Sequence, residues 1–215
     1  RYEDHFIETK AFLKDDNWKL NGSKSFVING DSADKVIVSA RIDGEINDKN
    51  GIGLFLVDNS QIKNRSYNTI DGYRAAELNF DNIKAELLCK DDLALECIVK
   101  ANSAGALALS AEAIGIMQVC FDLTLDYLKT RKQFGKSIGA FQSIQHRMVD
   151  MMLEIEQVRS AVMLASSTFE TNSSTRDKNV SAAKNLVGRV GKQIAEESIQ
   201  LHGGIAMTWE YSVAH

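Results

Sequence analysis

The sequence has no proline in 215 residues, against a usual frequency of about 5%, so none of its turns or helix ends is proline-made. Cysteine is scarce: Cys89, Cys97 and Cys120 form no CxxC pair, and any bridge leaves one of them over. That argues against a disulfide scaffold and fits buried thiols in a reducing, cytoplasmic setting. The four histidines, His5, His146, His202 and His215, are scattered without HExxH or comparable spacing, so no metal site is expected. There is no excess of basic charge. Lys and Arg number 25 against 29 Asp and Glu, a net charge of -4, which argues against nucleic acid as the main partner. Long uninterrupted apolar runs are also missing. The greasiest stretch, 104–121, is broken by Ser110, Glu112 and Gln118, and no membrane span is expected.

What the chain does have is 44% hydrophobic and 25% charged residues, enough for one large or two small domains with a proper core. It opens on Arg1 and closes on His215 directly after an aromatic-rich segment. Both ends therefore read as cut, and a targeting signal would lie outside them.

Residues 1–90 carry short β-rich runs. WKLNGSKSFVIN places Asn21-Gly22 between two half-apolar runs, the mark of a tight hairpin. KVIVSARI, GIGLFLVD and AAELNFDNI follow, joined by connections too short for crossover helices, which predicts mainly antiparallel pairing. Over 91–215 the apolar period lengthens. Phe141, Ile144, Met148, Met151, Ile155, Val158 and Val162 form one helical stripe, and Val180, Ala183, Val187, Val190 and Ile194 another. The helix through 104–121 is apolar almost all round and is expected inside a bundle. TNSSTRD suits a loop and an N-cap, and Gly203-Gly204 a helix stop. The expected fold class is α+β: a small antiparallel β domain (1–90) followed by an α-helical bundle (91–215).

Two segments bear on chemistry. In TRKQFGKSIGAFQSIQHRMVDM, the cations Arg131, Lys132 and Lys136 suit a helix end on their own account. In QLHGGIAMTWEY, two glycines after a helix are an ordinary stop, but they also let backbone approach something bulky such as a phosphate.

Together and in this order, RKQFGKSIGAFQ, QLHGGIA and the earlier NGSKSFVING resemble acyl-CoA dehydrogenases, with their R-x-x-F-G-x-x-I-x-x-F-Q, Q-x-x-G-G-x-G and N-G-x-K-x-x-x-x-N-G patterns. The resemblance covers essentially the whole chain and looks nearest to bacterial enzymes of the pimeloyl-CoA dehydrogenase small-subunit type. It implies an FAD enzyme that takes a proton from the α carbon of an acyl-CoA thioester while a hydride leaves the β carbon, giving a trans-2-enoyl-CoA. Electrons then pass to an electron-transfer flavoprotein. Arg131 matches the arginine that pairs with the FAD pyrophosphate of a neighbouring subunit, and Gln133, Phe134 and Gln142 match positions near the adenosine half. Gln200, Leu201, His202, Gly203 and Gly204 match the stretch that closes over that cofactor. Phe26, Val27 and Ile28 match the strand flanking the flavin ring. A site of this kind spans subunits and implies a homo- or hetero-oligomer.

The chain departs from the pattern at several points. Phe26 and Ile28 stand where most members have tryptophan and threonine, and Ile28 has no side-chain hydrogen bond to give. Ala206 replaces the third glycine. No catalytic base falls on a matching position: in most of the family it lies beyond the equivalent of Tyr211, past residue 215, and in one branch it lies where this chain has Gly105. The adjoining arginine aligns with Ala106. Glu112, seven residues after Gly105, returns to nearly the same helix face and is the one substitute candidate. A structural pairing with Arg147 or Arg189 is the preferred reading of it. Glu210 reads as a helix-start or ion-pairing carboxylate, and His202 either as a pyrophosphate contact or as a packed or capping side chain. Two alternatives stay open: a non-catalytic or half-site subunit of a hetero-oligomer, and a flavin oxidase or monooxygenase on the same scaffold. The 215-residue stretch by itself is not expected to turn over substrate.

Overall fold

A computed structural model describes residues 3–215. The described residues form two compact units that part between residues 100 and 101. The parting falls ten residues beyond the expected 90/91 boundary. The first turns of a long helix, through Ala94, Leu95 and Ile98, pack with Ile7, Ile52, Leu54 and Cys89 of the strand unit, so the helix begins inside the first unit.

Among the described residues the first unit has six strands: β1 (Lys10–Lys14), β2 (Asn17–Ile28), β3 (Lys35–Arg41), β4 (Ile52–Asp58), β5 (Lys63–Asn68) and β6 (Arg74–Lys90). They pair in the order β2-β1-β3-β4-β6-β5, and β2 also pairs with β6, so the sheet closes on itself. All pairings are antiparallel except a single parallel bridge, Lys10 to Arg41. Leu20, Phe55, Val57, Ala76, Leu78 and Phe80 lie in the core this closure makes.

Asn21-Gly22 is not the hairpin. The tight turn is Asp15-Asp16, both with positive φ (50° and 58°), between the Lys14–Asn17 pair of β1 and β2. Two left-handed residues are what a two-residue turn matched to the strand twist requires, and aspartate tolerates that conformation. Asn21 and Gly22 instead lie within β2 at a register shift. Gly22 has φ +135°, and a Cβ there would sit 2.9 Å from the Thr9 Cα. Strand β5 carries no apolar alternation (KNRSYN) and escaped the sequence reading.

The second unit holds the remainder of α1 (Asp92–Thr130), a miniature hairpin of β7 (Lys132–Gln133) and β8 (Lys136–Ser137), α2 (Gln142–Ser167) and α3 (Ser173–His202). Both stripes read from the sequence face one core, in which Met151, Ile155, Val158, Val190 and Ile194 are almost wholly buried beside Met117 and Leu128 of α1. The N-cap of α3 is Asn172, whose side chain accepts from the Thr175 N–H, not one of the neighbouring hydroxyl residues.

Helix α1 departs from expectation. Only one of its faces is covered by the described residues, while Leu109, Ile116 and Val119 on the other are more than half exposed. Its interruptions notwithstanding, it is long and apolar enough to cross a membrane by length and composition alone, a test that core helices of soluble proteins also pass. Cys97 is exposed rather than buried, and all three cysteines are free.

Candidate functional site

The RKQFGKSIGAFQ segment is a small rigid platform. Arg131 leaves α1 with its N–H still bonded to the Tyr127 carbonyl (2.8 Å), and its own carbonyl accepts from Ile138 (2.9 Å). Between them β7 and β8 pair across a two-residue turn, Phe134-Gly135, with φ of 54° and 81°. Phe134 is thrown outward, 90% exposed, and meets Phe141 edge to face at 6.2 Å, while the Lys136 ammonium sits 4.2 Å over the Phe141 ring. Arg131, Gln133 and Gln142 are all exposed as well. The Arg131 guanidinium has no ion-pair partner among the described residues. Two glutamates elsewhere in the unit do engage arginines, Glu197 with Arg147 and Glu154 with Arg189.

At the far end of α3, Gly203 takes φ +67° and ψ -148°, and its N–H closes the helix on the Gln200 and Ile199 carbonyls. That region of backbone space is open essentially to glycine alone. No heavy atom lies within 4 Å of a Cβ built on Gly203 or Gly204, so the turn presents bare backbone to solvent, with Gln200 exposed beside it. Leu201 and His202 face the other way. Leu201 belongs to the helical core. His202 is 3% exposed. Its Nδ1 lies 2.8 Å from the Ser198 carbonyl, and because a carbonyl only accepts, Nδ1 carries the proton. Nε2 is buried without a partner. The ring stacks on Tyr127 at 4.5 Å and meets Tyr211 at 4.9 Å. This is the packed arrangement, not a surface donor. Ala206 is fully buried, so the methyl that replaces the third glycine points inward.

In the first unit, Phe26 and Ile28 stand on the surface, 58% and 52% exposed, while Val27 packs against the core. A register shift between Lys24 and Val27 marks a bulge, with Phe26 at φ +53°. Sequence reasoning missed what holds it. The Phe26 N–H and the Tyr67 hydroxyl both donate to Glu77 Oε1, at 3.3 and 2.8 Å. A carboxylate at the polar position of an alternating strand reads simply as a solvated residue, so only the pairing register could have exposed it. Tyr127, on α1, was missed because its ring partners, His202 and Tyr211, lie far along the chain.

Glu112 pairs with neither arginine proposed for it, because both are taken by the glutamates named above. It stands exposed at the edge of an apolar groove of about 360 Å³ lined by Ile116, Val119, Leu123 and Val213. Gly105, one face-repeat earlier, is also exposed. Among the described residues no group of three or more His, Cys, Asp or Glu is placed to hold a metal.

A dinucleotide needs a free planar cation for its pyrophosphate, open backbone N–H groups and aromatic surface for its rings. Within the second unit Arg131 and Phe134 supply the cation and the aromatic surface, and the Gly203–Gly204 turn supplies exposed backbone, the Gly203 N–H itself being taken by the helix end. The residues of the second unit fit the pyrophosphate and adenosine half of FAD, and in the first unit, taken by itself, the exposed Phe26 and Ile28 fit an apolar ring face.

Both units resemble known proteins. The model for the acyl-CoA dehydrogenase C-terminal domain matches residues 95–215, and that for the middle domain matches residues 5–83. Long-chain specific acyl-CoA dehydrogenase, mitochondrial, of Mus musculus is 32% identical over 218 residues, 97% of this chain and 50% of that protein. The structure of butyryl-CoA dehydrogenase from Megasphaera elsdenii has a TM-score of 0.88 at 28% identity, covering 97% of this chain and 56% of that one. The same figures hold for a chain from the structure of the electron transferring flavoprotein of Acidaminococcus fermentans. The chain thus spans about half the length of the relatives it matches.

Proposed function

The chain belongs to the acyl-CoA dehydrogenase family, and on that premise we propose that the full-length protein oxidises an acyl-CoA thioester to its trans-2-enoyl-CoA with bound FAD. Electrons leave to an electron-transfer flavoprotein, in a cytoplasmic homo- or hetero-oligomer whose FAD sites are shared between subunits. Bound FAD supplies the two-electron acceptor. This chain's residues bind and orient it: Arg131 pairs with the pyrophosphate, Gln133, Phe134 and Gln142 border the adenosine half, and the Gln200–Gly204 turn closes over the cofactor. Within that turn Gln200, Gly203 and Gly204 make the approach, and the buried Leu201 and His202 hold its shape. Phe26, Val27 and Ile28 flank the ring. Helix α1 is a bundle helix here, not a membrane span, and its open apolar face belongs to the assembled protein.

One observation carries this reading: an exposed guanidinium with no partner in its own unit, fixed on a hairpin platform. A permanently charged planar donor left unpaired in this way suits a bidentate phosphate ligand. No carboxylate of residues 3–215 is assigned as the base. It is placed outside this stretch, and the stretch alone is expected to be inactive. The test is purification of the full-length protein with FAD quantified, followed by anaerobic addition of acyl-CoA. Stoichiometric FAD and enoyl-CoA formation support the proposal. A protein without FAD refutes it.

Ile28 favours a second reading, a subunit that lends Arg131 and the glycine turn to a partner's cofactor without doing chemistry itself. Its exposed side chain has no hydroxyl where the resemblance calls for one. FAD binding without product formation, restored by a second subunit, selects this reading. Rapid reoxidation of the reduced protein by air selects the oxidase alternative.

A further inference from the structure

Between the Lys24–Leu78 and Val27–Ala76 pairs, two residues of β2, Ser25 and Phe26, stand opposite one residue of β6, Glu77. Phe26 is left-handed there, a conformation that a bulky side chain adopts only when its surroundings enforce it. Glu77 does the enforcing. Its Oε1 accepts from the Phe26 N–H at 3.3 Å and from the Tyr67 hydroxyl at 2.8 Å. The Ser25 hydroxyl donates to the same carboxylate, and with Tyr67, Phe26 and the nearby Arg65 it holds that carboxyl below the usual carboxylate range. Arg65 is the residue directly opposite Glu77 in the β5–β6 ladder.

The direction of this group follows from the strand period. Ala76, Leu78 and Phe80 point into the core, so Glu77 points to the opposite face of the sheet. Phe26 and Ile28, more than half exposed, stand on that outer face too. We propose that Glu77 is a positioning residue of the flavin site: it fixes the bulge that presents Phe26 and Ile28, and it sets one negative charge on the face they share. The inference rests on residues 26–28 flanking the flavin ring. A fixed anion on that face opposes the negative charge that bound FAD gains on reduction, so it holds the reduction potential down.

Two variants of the full-length protein separate the roles. Glu77→Gln keeps an amide oxygen for Phe26 and Tyr67 but removes the charge. Its FAD affinity should stay within about threefold of wild type, while the two-electron reduction constant rises about tenfold, a shift of about 30 mV to more positive potential. Glu77→Ala removes the acceptor as well. It should bind FAD about tenfold more weakly and shift the absorption spectrum of the bound flavin. A merely structural carboxylate would lower thermal stability in both variants and leave the potential of the retained flavin at the wild-type value, which overturns the proposal. Should the alanine variant fail to fold, the potential of the glutamine variant decides alone. Wild-type protein that holds no FAD overturns the underlying FAD reading instead, so the two failures are distinguishable.

Discussion

Tyr127 and His202 lie stacked, their ring centroids 4.5 Å apart and their planes 25° from parallel. Arg131 follows Tyr127 by one helical turn, and Gly203 follows His202 directly. The stack therefore links the two segments of the helical unit that are proposed to hold the cofactor. Tyr211, 6.0 Å from Tyr127, closes the group.

If packing is what His202 contributes, shape should matter more than its nitrogens. His202→Ala should destabilise the protein by about 2–4 kcal/mol, as truncating a large buried side chain does. His202→Phe keeps the stack and gives up the Ser198 carbonyl bond, a loss of about 1 kcal/mol. Urea unfolding compares them. Equal losses would mean that the polar edge of the ring is what counts.

Arg131 carries its role through charge and planarity together. Arg131→Ala should weaken FAD binding by about 1.5–3 kcal/mol, the range for a charge-assisted hydrogen bond, with thermal stability of the apoprotein unchanged because the side chain is exposed and unpaired. Arg131→Lys should recover only part of the loss, since an ammonium cannot pair bidentately. Fluorescence titration of the apoprotein with FAD reads both.

At Gly203 the backbone alone sets the penalty, because the space beside it is empty. Gly203→Ala should destabilise by about 1–3 kcal/mol from its φ of +67° and ψ of -148°. Gly204→Ala should leave stability within about 1 kcal/mol yet weaken FAD binding by crowding the open backbone. Chemical unfolding paired with FAD titration distinguishes the two positions.

Lys24 offers a test by pH. Burial pushes its ammonium down to about 8, only partly offset by Glu8, while its Nζ donates to the Ser39 hydroxyl at 3.0 Å. A folded-state value below the unfolded one means that the unfolded chain binds more protons between about pH 8 and 10.5, so stability rises with pH across that window. Below it the penalty is fully present, of the order of 3 kcal/mol. Lys24→Met should be the more stable protein at pH 7, with the difference shrinking as pH approaches 10. Unfolding free energies of the pair at several pH values check the sign.

The sequence showed some of these features and concealed others for identifiable reasons. Helices α2 and α3 were legible because Met148 through Val162 and Val180 through Ile194 repeat at helical spacing and all bury one face. The hairpin was misplaced because Asn21-Gly22 carries the stronger local turn signal, yet close approach to Thr9 is what demands that glycine. Strand β5 was invisible because none of its residues is buried and so no apolar alternation marks it. Arg131 and the glycine turn were singled out through the family resemblance, and their exposure is what the structure adds. The inward turn of His202 and the grip of Glu77 on Phe26 depend on packing and register, which no local pattern encodes.

The most direct measurement is anaerobic mixing of the FAD-loaded full-length protein with saturated acyl-CoA thioesters of graded chain length, followed by absorbance of the oxidised flavin and by mass of the products. The account predicts loss of flavin absorbance matched one for one by a trans-2-enoyl-CoA. A protein that holds stoichiometric FAD yet leaves both flavin and thioester unchanged at every chain length, alone or with an electron-transfer flavoprotein, would contradict it.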